Sequence, residues 1–348
     1  MKPLKIAIIG AGQIAETAHM PAYQSLSAYA SVAAVCDTVQ ERARQLAQRF
    51  HIPHVYTDYK TMLKDIEPNL VSVCVPNRLH HPFVMDILEA GSHVFCEKPP
   101  AITFEEAKAM SEKAKEKGRL LSYNFCHRHR GEVKALRQLI DENALGDIYA
   151  VELTAQRRRA IPGWGSFTNK EIQGGGPLID LGIHMLDAGL NLLDYPKPAY
   201  VCAGMHDKIG KQGGVGLFGE WKGGASYTVE DSAFGFIQFQ NGMTMTIKTS
   251  FALHTAQTET SIMNLHLCGD KAGASLAPCM MYANEGAALI NRTIPFSPVD
   301  HIVQGAKNMV LGILEIEELA VTGENVLLTQ EIMNAMYQSA EKGRPISF

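Results

Sequence analysis

The sequence predicts an α/β protein of two domains: a doubly wound parallel sheet, then an α+β domain with an open, mainly antiparallel sheet. Three observations predict it. Short apolar runs alternate with helical patterns over the first 124 residues, a Gly10-Ala11-Gly12 turn ends the first run, and strand signals dominate from about 199 to 270. Buried parallel strands read as continuous apolar runs, and repeated strand–helix–strand units close with right-handed crossovers.

In order, strands are expected at residues 4–9, 32–36, 70–75, 93–96 and 120–123, with a weaker one at Val55-Tyr56. Helices fall between them at 39–50, 82–90 and 104–117. Thr103 and Glu106 have capping-box spacing, and Gly91 and Gly118 stand where helix ends need a left-handed residue. Beyond 125, a helix is expected at 132–142, a strand at 148–157 and a helix at 178–193. A hairpin is expected around Asn241-Gly242, and helices near 303–321 and 328–342. The domains divide as 1–124 and 125–348.

Composition narrows the function classes. With 46% hydrophobic and 20% charged residues, a sizeable core is available and disorder is not expected. Thirty-two basic against 36 acidic residues give a net charge of −4, without the basic excess of a nucleic-acid binder. No apolar run is long enough for a membrane span. The basic start, Met1 to Lys5, precedes an apolar stretch, but Gln13 and Glu16 interrupt it and no cleavage-like site follows, so a signal peptide is not expected. Seven cysteines, with no C-x-x-C pair, fit a reducing cytoplasm rather than a disulfide or zinc framework, and no metal site is expected.

Gly10-x-Gly12-x-x-Ala15 follows a strand and opens a helix. Gly10 permits the tight turn, Gly12 lets backbone approach a pyrophosphate, and Ala15 keeps the helix near the sheet. Gln13 and Ile14 start the helix whose N–H groups face the anion. Asp37 ends the second strand, where a carboxylate accepts from ribose hydroxyls and repels a 2′-phosphate. NAD is therefore favoured over NADP, with Arg42 and Arg44 leaving NADP open.

Two more clusters lie at strand ends: Pro76-Asn77-Arg78-Leu79-His80 and Cys96-Glu97-Lys98-Pro99. A lysine there can bind a substrate oxygen, although Glu97 and Lys98 alone would also suit a surface ion pair. Asp180, His184 and Asp187 are spaced to share one face of an otherwise apolar helix. That stripe implies a polar cleft or an internal hydrogen-bond network, and it fits proton transfer, a structural histidine or a metal ligand set. Arg157 and Trp164, leaving the strand at 148–157, are candidates for sugar contacts or for packing alone.

Taken together, Gly10-x-Gly12-x-x-Ala15, Pro76-Asn77-x-x-His80, Ala90-Gly91-x-His93-Val94, Glu97-Lys98-Pro99 and Gly174-Gly175-Gly176-x-x-x-Asp180-x-Gly182-x-His184 resemble the Gfo/Idh/MocA oxidoreductases. The resemblance implies a Rossmann domain for a nicotinamide cofactor and a second domain for substrate and homodimer or homotetramer contacts. It implies Lys98 as catalytic and substrate-binding lysine, His184 as proton-transfer residue with Asp180 beside it, and a cis Lys98–Pro99 bond. Pro76, Asn77, His80 and Glu97 would line the cofactor pocket. Arg128-His129 replaces the family's frequent Arg-Phe, so His127 and His129 can reshape the pocket wall. The implied reaction moves a hydride between NAD(P) and a secondary alcohol or ketone of a sugar, cyclitol or other polyol. An NAD-dependent glycosidase and a non-catalytic cofactor-binding regulator are the alternatives.

Overall fold

The computed structural model describes residues 3–256 and 258–348, so Met1 and Lys2, where the basic start begins, lie outside the described residues. The chain forms two compact units: residues 1–126 with 300–327, and residues 127–299 with 328–348.

In the first unit, six parallel strands run in the order β3-β2-β1-β4-β5-β6. They are β1 (Leu4–Ile9), β2 (Ala30–Cys36), β3 (His54–Tyr56), β4 (Leu70–Val73), β5 (His93–Cys96) and β6 (Leu121–Tyr123). Every residue of β4, and Ile6 to Ile9 of β1, is buried, as a sheet covered on both faces requires. The order reverses between β1 and β4, the kind of switch point beside which doubly wound sheets take their ligands. The helices are α1 (Met20–Gln24), α2 (Gln40–Phe50), α3 (Tyr59–Ile66), α4 (His80–Glu89) and α5 (Phe104–Lys117). The Thr103–Glu106 capping box forms, and Gly118 takes the left-handed C-cap.

Two features differ from expectation. The helix after the glycine turn contains a wide π-type turn over Ala15–His19, just before Pro21. Proline has no N–H and its ring crowds the carbonyl four residues back, so the regular ladder cannot run through it. The second concerns the segment 300–327, which the division at 124/125 assigned to the second domain. Its Val303, Ala306, Met309 and Val310 share the first unit's core with Ile8, Met20, Tyr23 and Phe95.

The second unit carries α6 (Gly131–Asp141), α7 (Lys170–Gln173), α8 (Ile183–Leu192) and α10 (Leu327–Lys342), while α9 (His301–Ile313) belongs to the first unit. Its nine strands run in the order β16-β15-β14-β13-β7-β12-β11-β8-β17, and a small β9–β10 hairpin stands apart. Their ranges are β7 (Ile148–Arg157), β8 (Pro198–His206), β9 (Gly214–Gly216), β10 (Gly219–Trp221), β11 (Ser232–Phe239), β12 (Thr244–Ser250), β13 (Ser261–Gly269), β14 (Ala272–Ser275), β15 (Met280–Glu285), β16 (Ala288–Thr293) and β17 (Ile346–Ser347). All sheet neighbours are antiparallel except β7 and β12. The β11–β12 hairpin turns at Asn241-Gly242 as its sequence requires. Helix α8 packs on β7 and β13, and Leu153, Met245, Ile247, Leu265, Leu186 and Leu190 are buried.

Candidate functional site

The first unit presents the phosphate turn at the end of β1. Gly10 has φ +94°, and a Cβ there would collide with the Cys74 carbonyl, so this position tolerates only glycine. Gly12 has nothing within 4 Å of where a Cβ would stand, leaving its backbone approachable. Asp37, expected to face a ribose, also has a structural part in the turn. Its Oδ2 accepts from the Ala11 N–H at 2.9 Å and its Oδ1 from Val39 at 2.8 Å, so it also fixes the turn. A carboxylate has about four lone-pair sites, so acceptor capacity is left for hydroxyls. These residues fit a dinucleotide. Gln13 is exposed at the helix start with Ile14 half-buried behind it, and Asn77 is half-buried in a short turn after exposed Pro76.

Glu97 and Lys98 follow β5, and the Lys98–Pro99 peptide is cis. Glu97 is not part of a surface ion pair. It is 8% exposed, and its Oε1 accepts from His19 Nε2 at 2.8 Å and from Asn124 Nδ2 at 2.8 Å. Burial alone would raise its pKa, but His19, Asn124 and Lys98 outweigh burial and hold it below the ordinary glutamate value. With Nε2 donating to the carboxylate, His19 Nδ1 accepts from Ser72 Oγ at 3.1 Å, and Ser72 in turn meets the Tyr23 hydroxyl. Burial pushes the Tyr23 pKa upward, so it stays a donor at the end of this chain.

His80, expected to line the cofactor pocket, is fully buried. Its Nδ1 lies 2.7 Å from the Pro99 carbonyl oxygen and its Nε2 2.9 Å from that of Val75. Burial lowers its pKa against the raising effect of those carbonyls and Glu97. Both ring nitrogens are turned to backbone, so His80 is a brace inside the protein.

In the second unit, Gly174-Gly175-Gly176 leads into a wide π-type turn, Leu178–Gly182, and then α8. Asp180 lies on that turn and His184 in the first turn of α8; both are half-buried among buried neighbours. Glu230, which the sequence reading missed, seats the start of this helix. Its carboxylate accepts from the N–H groups of Gly176 at 2.9 Å and Leu178 at 3.1 Å, and from the Tyr337 hydroxyl at 2.9 Å. A Cβ at Gly175 would strike Tyr337, and one at Gly176 the Glu230 carbonyl, so close approach explains the small residues here.

Asp187 turns its part of the polar stripe into an internal hydrogen-bond network. It is fully buried and bonds Arg128 bidentately at 2.7 and 2.6 Å, with Thr329 behind it. The His127 ring lies 5.0 Å from that of His184, so the histidine-rich departure does border the proton-transfer candidate. Arg157 stands 4.8 Å over the Phe218 ring; burial lowers its pKa and Asp180 opposes that. Trp164 is 48% exposed and meets Phe218 edge-on at 5.4 Å, whereas Arg159 bonds the Val215 carbonyl and supports the β9–β10 hairpin.

A glycine turn tied to an acid at the end of β2, with a lysine at the end of β5, defines a dinucleotide-dependent oxidoreductase. Family models agree along the chain: residues 4–125 match the oxidoreductase family's NAD-binding Rossmann fold, and 137–348 its C-terminal alpha/beta domain. The protein belongs to the Gfo/Idh/MocA oxidoreductase family, and its cofactor is NAD. It is similar to a D-glucoside 3-dehydrogenase of Escherichia coli (strain K12), 43% identical over 344 residues, covering 98% of this chain and 96% of that one. A levoglucosan dehydrogenase of Pseudarthrobacter phenanthrenivorans is 26% identical over 275 residues, covering 73% and 69%. A solved levoglucosan dehydrogenase in complex with NADH and L-sorbose shares the fold, with TM-score 0.85, 21% identity and coverage of 100% and 99%. The family acts on sugars and polyols, and the chain is an NAD(P)-dependent oxidoreductase acting on CH–OH groups. Among the described residues, no helix is long and apolar enough to cross a membrane.

Proposed function

We propose that this enzyme oxidises a ring secondary hydroxyl of a D-glucoside, at C3, to the ketone, and runs the reverse reduction. The observation that carries the substrate is the likeness to the D-glucoside 3-dehydrogenase along nearly the whole of both chains. The turn at Gly10 and Gly12, Asp37 and Asn77 would hold the cofactor, which supplies the hydride acceptor when bound. Lys98 holds and polarises the reacting oxygen, His184 takes its proton, and Asp180 orients the histidine and the sugar. Arg157 and Trp164 bind the rest of the sugar. Residues 1–124 form the cofactor domain and 125–348 serve substrate and assembly, with 300–327 lending its core to the first. The open face of the nine-stranded sheet is the contact for a homodimer or homotetramer. All seven cysteines are free, which supports a cytoplasmic setting.

A panel of glucosides, free sugars and inositols, run with NAD and NADP in both directions, tests this reading. Nicotinamide reduction with D-glucosides is expected, and its absence across the panel while the protein binds NADH would favour the regulator instead.

A further inference from the structure

Lys98 is flanked by two residues, and a buried histidine grips each of them. His19 holds the Glu97 carboxylate and His80 faces the Pro99 carbonyl. Neither imidazole is exposed at all. Each ring also reaches β4 or the residues just beyond it: His19 through Ser72 at 3.1 Å, and His80 through the Val75 carbonyl at 2.9 Å. Their sequence positions are unrelated, one in the wide turn after the phosphate loop and one at the start of α4. Yet they converge on the two sides of one residue.

We infer that His19 and His80 are a pair of positioning residues that set the direction of Lys98, His19 by tying Glu97 to Ser72 of β4 and His80 by donating to the Pro99 carbonyl. The inference rests on the proposed role of Lys98. Carbonyls only accept, so a neutral His80 donates to one of its two; the shorter contact, Nδ1 to Pro99, is the one that matters for Lys98. On His19 it is the Nε2 donation to Glu97. The two rings therefore use opposite nitrogens for the same purpose. Asparagine puts its amide nitrogen about where Nδ1 stands, and glutamine about where Nε2 stands.

That difference gives a crossed test. H80N keeps the donor for Pro99 and H80Q moves it to the Val75 side; H19Q keeps the donor for Glu97 and H19N moves it to the Ser72 side. The expected result is a fall in kcat of about 100-fold in H80Q and H19N, as about 1 Å of misplacement brings, but below about 10-fold in H80N and H19Q. KM for NAD should stay within about threefold throughout, since the phosphate turn is untouched. A second readout needs no turnover: acetic anhydride labelling of Lys98 in cofactor-free protein, followed by peptide mass. The labelling rate should change in H80Q and H19N and stay near wild type in H80N and H19Q. Equal kcat and equal labelling within each pair, or losses that follow thermal stability alone, would overturn the inference. If wild type turned over no glucoside, the proposed function would fail, and the labelling pattern would still decide the positioning.

Discussion

Lys98 owes its place to partners distant in sequence: His19, His80 and Asn124 all act on its neighbours Glu97 and Pro99. K98A is expected to keep NADH binding and lose about 100-fold or more in kcat, which stopped-flow binding and steady-state assays separate. Glu97 gives a pH prediction. Its folded pKa lies below the ordinary 4.5, so its stabilisation is complete above about 4.5 and drains away as pH falls through the lower folded value. Urea unfolding of wild type and E97Q should therefore differ most near neutrality and converge in acid; a constant difference would contradict that. At this scale the sequence named the acid, the lysine and the glycines, because their motifs are contiguous. His19 and Glu230 left no local signal, because their partners lie 78 and more than 50 residues away.

Among elements, α8 carries the proposed proton-transfer residue His184, and two buried acids secure it. Glu230 caps its approach, and Asp187 fastens its middle to Arg128, with both side chains 1% exposed. Truncating one partner leaves a buried charge alone, so D187A should cost about 3–5 kcal/mol by chemical denaturation. The double variant R128M/D187L should recover much of that, because paired apolar groups avoid the desolvation penalty. Spacing left open whether Asp187 faces a cleft or an internal hydrogen-bond network, since a helix pattern gives the face and not which residue covers it; the bonds to Arg128 and Thr329 decide for the network. The capping box and the Asn-Gly hairpin were legible because they are local rules. Strands β14 to β16 were not: β14 is a short run of small residues, most of β15 is half-buried and all but Ile290 of β16 is exposed, so the apolar alternation is weak.

The whole molecule is two units woven from a chain that crosses between them three times. The change of rhythm near 125 was visible, but the return of 300–327 was not, because apolar periodicity says that a helix is buried and never against what. In the first unit α9 lies close to Phe95 and Asn124, where a Cβ at Gly305 would press on both. A fragment 1–126 should therefore expose Phe95 and Met20 and aggregate, while the same fragment joined by a flexible linker to 300–327 should stay in solution and bind NADH. Gel filtration and cofactor fluorescence would show the difference. The oxidation itself is tested by pairing NADH formation with identification of the product. One NADH should appear for each glucoside converted to a ketone two hydrogens lighter with its glycosidic bond intact. Release of the aglycone with no NADH accumulating would contradict it.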